Sequence, residues 1–260
     1  METRYLLHMH TIQSSSFRYM IEGLKEVVND ANFTCDPSGV RVVSLDATRS
    51  IIVFVKLEAA KFETYVCPER VVAGVNMHSM HKLVKSVSAY DALTLWILES
   101  DPYSLHIRIE NTEKNVMVES ALKLLDIDQE SVAIPAVKFD SIIAMPSVDL
   151  QRYCRELFIV ADRVTITSRA GELLFRAQGD FAAQTITVRE RPSGTVFVPS
   201  RTSGENSATF PLKYLNMFCK TTNLAQTVEM FLKTDMPLIL VYRIGDLGKL
   251  QYALAPLEAS

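Results

Sequence analysis

The feature that most constrains this chain is a two-residue alternation of apolar and polar side chains in many short segments. It recurs in RVVSLD (41–46), SIIVFVKLE (50–58), ALTLWILES (92–100), SLHIRIE (104–110) and KNVMVESALKL (114–124). It continues in RVTITS (163–168), ELLFRA (172–177), QTITVRE (184–190), TVEMFLK (227–233) and LILVYRI (238–244). These segments are rich in β-branched and aromatic residues, and most end at Gly, Pro, Asn or Asp. Alternation of this kind reads as strands with one buried face, joined by tight turns into antiparallel sheets.

Four segments follow the 3, 4, 7 spacing of an amphipathic helix instead. Residues 17–29 align Phe17, Met20, Ile21, Leu24 and Val28 on one stripe. Residues 77–86 align Met77, Met80, Leu83 and Val84; residues 147–157 align Leu150, Tyr153, Cys154 and Leu157. Residues 211–220 align Leu212, Leu215, Phe218 and Cys219. The expected class is therefore α+β. Each half reads strand, helix, several strands, helix, strands, and MHSMHKLVK matches LKYLNMFCK position by position, Met77 with Leu212 and Lys85 with Lys220. A duplicated unit is the simplest reading. It makes KLLDIDQESVAIPA (123–136), which has no glycine and no helical period, a connector between domains. The expected division is 1–122, a connecting loop at 123–137, and 138–260.

At 260 residues, with 48% hydrophobic and 22% charged side chains, the chain has material for a large core without staples. Cys35, Cys67, Cys154 and Cys219 form no CxxC pair, so buried reduced thiols are expected rather than a zinc site. The opening METRYLLHMHTIQSSS lacks the apolar core of a signal peptide, and IIVFV and LILVY are too short to span a bilayer. The expectation is a soluble intracellular chain with no membrane partner. No Lys/Arg cluster reads as a nuclear address.

The formal charge of −3 excludes a globally basic nucleic-acid binder but not a locally basic one. Lys82 and Lys85 stand three apart, and Lys213 and Lys220 seven apart, in helical segments with no acid. Arg152 and Arg155, and Arg18 and Lys25, repeat such spacing on the other two helices. Each pair falls on one face, opposite the apolar stripe. One such face is usually solvated surface. Four in equivalent places imply a shared positive surface suited to phosphate contacts that carry no sequence information.

No GxSxG, P-loop or GxGxxG is present. His8 with His10, His78 with His81, and Asp126 with Asp128 are short pairs without further clustered ligands, so no metal or cofactor is expected. Nothing assembles a nucleophile, base and oxyanion set, and an enzyme is not expected.

Several segments, in order and across nearly the whole chain, resemble one family. VVSLDATRS, KFETYVC, GVNMHSMHKLVK, LKLLDIDQESVAIP, AMPSVDLQRYCREL, FPLKYLNMFCKTT and DMPLILVYRIGDLGKLQYALAP are similar to proliferating cell nuclear antigen, the eukaryotic sliding clamp family. The resemblance implies the DNA clamp fold: two similar domains sharing a continuous antiparallel sheet, with two helices each. Three subunits would close head to tail into a homotrimeric ring. It implies that Arg18, Lys25, Lys82, Lys85, Arg152, Arg155, Lys213 and Lys220 face double-stranded DNA. It implicates LHIRIE and LLFRAQG as edge strands at the subunit interface, with Leu105, Ile107, Ile109, Leu173, Phe175 and Ala177. It implies a groove for the helical-turn peptide motif of DNA polymerase, clamp loader and other partners. That groove would be lined by Leu45, Arg49, Ile52, Val132, Ile134, Pro135, Pro237, Ala253, Ala255 and Pro256.

The chain departs from the family pattern in places. Arg49 stands where His is usual, and Ala253 where Tyr precedes LAP. Arg169 and Ala170 precede Gly171 where a modified Lys is common. RERPSGTVFVPSRTSGENS (189–207) is not the family's acidic segment and is expected to be an irregular, mobile excursion. The implied function is a processivity factor for replication and repair, in a nucleus or at a viral replication site. Two alternatives stand beside it. One is a paralogue acting in a heterotrimer or as a monomeric viral factor; the other is an α+β enzyme whose site assembles in space.

Overall fold

A computed structural model describes residues 4–128, 139–169, 171–191, 194–198 and 205–257. The strands, in chain order, are β1 (Tyr5–Thr11), β2 (Asp30–Asp36), β3 (Gly39–Leu45), β4 (Ile51–Glu58), β5 (Thr64–Val66), β6 (Val71–Asn76), β7 (Ala92–Leu98), β8 (Asp101–Asn111) and β9 (Val116–Lys123). They continue as β10 (Ser141–Pro146), β11 (Arg163–Arg169), β12 (Glu172–Gln178), β13 (Ala183–Arg189), β14 (Val196–Val198), β15 (Asn206–Pro211), β16 (Thr227–Leu232), β17 (Leu238–Ile244) and β18 (Gly248–Leu254). The helices are α1 (Ser14–Val27), α2 (Met77–Val84), α3 (Ser147–Val160) and α4 (Leu212–Phe218).

The chain divides into two units, one of residues 1–47, 53–132 and 243–250, the other of 48–52, 133–242 and 251–260. In the first, β5, β1, β7, β8 and β9 lie side by side, as do β4, β3, β2 and β6. In the second, β14, β10, β16, β17 and β18 repeat the first order, and β13, β12, β11 and β15 the second. The order strand, helix, five strands, helix, three strands is thus identical in both.

Each alternating segment presents its apolar set inward. Leu7, Met9, Leu93, Leu95, Ile97, Leu105 and Ile107 are buried on one face of β1, β7 and β8. The opposite face carries a polar ladder in which Trp96 lies stacked on His106, ring centroids 5.2 Å apart. The Arg108 guanidinium also lies 5.2 Å from the Trp96 ring and pairs with Glu119 at 2.6 Å. His8 and His10 join this ladder, His10 bonding Thr94 Oγ1 at 2.9 Å.

Helix α1 buries Phe17, Met20, Ile21 and Leu24 almost completely, and α2 packs beside it. Asn76 caps α2, its side-chain oxygen accepting from Ser79 N at 2.9 Å. In the second unit α3 and α4 pack together, and Phe218 stacks on Tyr252 at 4.4 Å. The helix bounds differ from the periodic reading on every helix: α1 spans Ser14–Val27 rather than 17–29, and α2 stops at Val84 rather than at 86. Helix α3 runs on to Val160, where Ala161 N still donates to Leu157 O. Helix α4 stops at Phe218 and tightens into 3-10 turns over Cys219–Leu224. There Thr222 Oγ1 donates to Cys219 O at 2.6 Å, a side-chain bond that competes with helix continuation. Of the α2 stripe, Met77, Met80 and Val84 are buried as expected, while Leu83 is half-buried.

The expected edge strands are corrected. LHIRIE lies in β8, paired on one side with β7 and on the other with β9. LLFRAQG lies mainly in β12, paired with β11 and β13. Leu105, Ile107, Ile109, Leu173, Phe175 and Ala177 are buried core residues. A strand with both backbone edges engaged offers no ladder to another chain. Beyond β8 the first of these orders ends at β9, and beyond β12 the other ends at β13; their far ends are β5 and β15. Val116, Met117 and Val118 of β9 are each about half exposed. The segment expected to be irregular at 189–207 contains β14, which pairs with β10 from Ala144↔Val196 to Ile142↔Val198.

Two other edges are covered from within. Leu125 N donates to Gly74 O of β6 at 2.8 Å, and Asn32 Nδ2 holds Ile127 O at 3.0 Å. In the second unit Leu257 N donates to Thr209 O of β15 at 2.8 Å. The start of KLLDIDQESVAIPA therefore has a partner strand. All four cysteines are buried and outside disulfides. Among the described residues no helix is long and apolar enough to cross a membrane.

The close approach at β6 demands glycine: a Cβ on Gly74 would stand 2.1 Å from Leu125 O. Gly74→Ala is expected to destabilise the fold by about 1–3 kcal/mol. Hydrogen exchange at the Leu125 amide should accelerate more than exchange in β1 or β7; equal protection at all three would contradict this account.

Candidate nucleic-acid interface and partner groove

The four helices present their cations because their other faces are buried. On α2, burial of Met77, Met80 and Val84 turns Lys82 outward, with Lys85 exposed just past the helix end. On α4, burial of Leu212, Leu215 and Phe218 turns Lys213 outward. Lys220 lies exposed in the 3-10 turns that follow, so Lys85 and Lys220 keep equivalent places after their helices. Arg152 and Arg155 are exposed on α3.

Arg18 and Lys25 are less open. The Arg18 guanidinium lies 4.3 Å from the Tyr19 ring, and its Nη1 donates to Lys85 O at 3.4 Å. Lys25 is ion-paired with Glu26, its side chain 19% exposed. Arg152 pairs with Asp149 at 3.1 Å. Helices α1 and α3 thus carry acids that partly offset their cations, whereas α2 and α4 carry none.

Sequence reasoning missed a second feature. Arg18–Tyr19, Arg152–Tyr153 and Lys213–Tyr214 are cation–tyrosine neighbours on three helices, with the cation 4.3, 5.1 and 5.8 Å from the ring centroid. Such contacts contribute about 0.5–1 kcal/mol at exposed sites and restrict the cation's orientation. The repeated basic–Tyr dipeptide was the available signal.

His81, paired with His78 in the sequence reading, stands among these cations. Burial, then Lys25, holds its imidazole below the usual histidine range; Glu22 opposes them, and Lys85 and Arg18 add smaller effects in the lowering direction. The cations of α1 and α2 therefore act on a common patch. Among the described residues, no three His, Cys, Asp or Glu side chains gather as a metal site.

The groove residues divide. Val132, Ile134 and Pro135 lie outside the described residues. Leu45 ends β3 in the first unit and is half-buried. In the second unit Ser50 O accepts from Ala255 N at 3.0 Å, which brings the loop of Arg49, and the start of β4 with Ile52, beside Ala255 and Pro256. Arg49 is exposed, with φ 57°. Thr48 Oγ1 meets Tyr214 OH at 3.1 Å and fixes the same loop to α4. Pro237 precedes β17 and Ala253 lies in β18, both half-buried.

Comparison with known proteins finds two consecutive matches. The family model described as proliferating cell nuclear antigen, N-terminal domain, matches residues 6–132, and that for the C-terminal domain matches 133–257. A probable DNA polymerase sliding clamp 1 of Paramecium bursaria Chlorella virus 1 is 32% identical over 256 residues, 97% of each chain. The proliferating cell nuclear antigen of Chaetomium thermophilum is also 32% identical over 256 residues, 96% of this chain and 98% of that one.

Reversing charge at Lys82, Lys85, Arg155 and Lys213 should weaken binding to short duplex DNA. The log–log salt dependence should become shallower by about 0.9 for each phosphate that is no longer neutralised. Titrations across salt concentrations measure both, and an unchanged slope would remove these residues from the interface.

Proposed function

Because the chain belongs to the proliferating cell nuclear antigen family, we propose that three copies close head to tail into a ring around duplex DNA. The chain is a DNA sliding clamp and polymerase processivity factor. The observation that carries this reading is the match of both domains in succession over nearly the whole chain. The proposed division is 1–122, a connector at 123–137, and 138–260.

The mechanism is topological rather than catalytic. A closed ring needs no tight grip, because leaving the duplex requires opening the ring. Exposed cations on α2, α3 and α4 supply weak, screened contacts to phosphates, which permit sliding. A polymerase tethered to the ring meets its template at raised effective concentration. The clamp works where DNA is replicated, in a nucleus or at a viral replication site.

Heterologous contacts close into rings when the rotation permits. The proposed contact sets β9 of one copy against β13 of the next. Its support is that both strands end their sheet orders and that β9 exposes Val116, Met117 and Val118. Pairing would satisfy two edges otherwise open to aggregation. Partner peptides, the clamp loader's included, are proposed to dock on the second unit where Ser50 and Ala255 hold Ile52 and Pro256 together. The exposed Arg49 would add a cation there and favour acidic residues beside the apolar plug.

Solution mass at micromolar concentration is expected to be three times that of the chain. Val116→Lys with Val118→Lys should give a folded monomer that no longer stimulates synthesis on a primed circular template. A wild-type chain that is a stable monomer would favour a monomeric processivity factor instead.

A further inference from the structure

Of five histidines, His78 and His81 lie on α2, within the cationic patch. Lys85 N donates to His81 O at 2.8 Å, so the two side chains stand one turn apart on one face. Arg18 reaches across from α1 to Lys85 O. The charges acting on His81 are Lys25 and Arg18 from α1 and Lys85 beside it, with Glu22 the single acid. Lys82 follows His81 directly and is exposed. Of the strands packed against α2, β6 has no ionisable side chain. Strand β9 brings Glu119, held by Arg108, and the exposed Lys123.

Burial and surrounding cations oppose protonation of this imidazole in the free protein. A phosphate backbone laid against the same face would reverse the local field. We propose that His81 is a proton-switched phosphate contact: duplex DNA binding draws a proton from solvent onto its imidazole, and the clamp's hold on DNA strengthens as pH falls. This rests on the reading in which α1 and α2 face the duplex. Lys82 and Lys85 supply a charge that is constant with pH; His81 supplies one that is conditional on DNA.

The sign follows from linkage. The folded free protein holds the His81 proton less tightly than the unfolded chain, so this group costs stability as pH falls below about 6.5. With DNA bound, the phosphates raise the imidazole's proton affinity. Binding then tightens as pH falls through the window between the raised value in the complex and the lowered value in the free protein.

Fluorescence anisotropy of a short labelled duplex at low salt, between about pH 8 and pH 5.5, reads this directly. Wild type should tighten by about three- to tenfold, with a salt slope steeper by about 0.9 at the acid end. His81→Gln should flatten the pH dependence, and His81→Arg should bind tightly throughout. His78 on the same helix, and His8, His10 and His106 on strands, remain in both variants, so whatever they contribute is common to wild type and variants. If His81→Gln keeps the wild-type pH dependence while Lys82→Glu with Lys85→Glu weakens binding at pH 8, the proton switch fails and the DNA-facing reading survives. If the double lysine variant binds as wild type, the DNA-facing reading itself fails.

Discussion

Burial of the helix stripes governs what the rest of the molecule can present. Phe17, Met20, Ile21 and Leu24 of α1, and Leu212, Leu215 and Phe218 of α4, are at most 1% exposed. Each such side chain contributes about 1.5–3 kcal/mol by leaving water. Turning a helix by one residue's angle would forfeit several of these contributions at once and carry a cation toward the core. The outward direction of Lys82 and Lys213 is therefore enforced from behind, a mounting that suits contacts which must form and break repeatedly.

The same economy operates on backbone edges. Both units are built on one plan, and in both a segment beyond the last strand returns to cover an edge, Leu125 on Gly74 and Leu257 on Thr209. Strands β9 and β13 stand at the ends of their orders, and β9 exposes apolar side chains on both of its faces. An exposed apolar edge is a liability for a solitary chain and an asset for one that assembles. The proposed head-to-tail assembly would use these two edges.

The electrostatics are local against a chain of net negative charge. Acids on α1 and α3 are used on their own helices, Glu26 by Lys25 and Asp149 by Arg152, while α2 and α4 carry none. Tyr19, Tyr153 and Tyr214 orient the cations beside them. Weak, screened, partly offset charges are compatible with sliding, whereas a uniformly cationic surface would hold DNA in place.

Much of this was legible in the sequence because periodicity is a local consequence of side-chain direction. Period two marked β3, β4, β7, β8, β9, β11, β12, β13, β16 and β17, and the 3, 4, 7 spacing marked all four helices. Short or weakly alternating strands such as β5 and β14 carry too few residues to show a period. Alternation also cannot say which neighbours a strand has. SLHIRIE alternates as well as any edge strand would, yet β8 is paired on both sides, so Leu105, Ile107 and Ile109 went to the core. The sequence by itself determined the clearly alternating strands, the four helices and their cationic faces, since each depends on residues a few positions apart, and the order of those elements carried the duplication. Only the tertiary structure decided which edges stay open, which cations are already paired, and that His81 stands among Arg18, Lys25 and Lys85. Those depend on segments brought together across long stretches of chain, where hydrogen bonding and charge act through space.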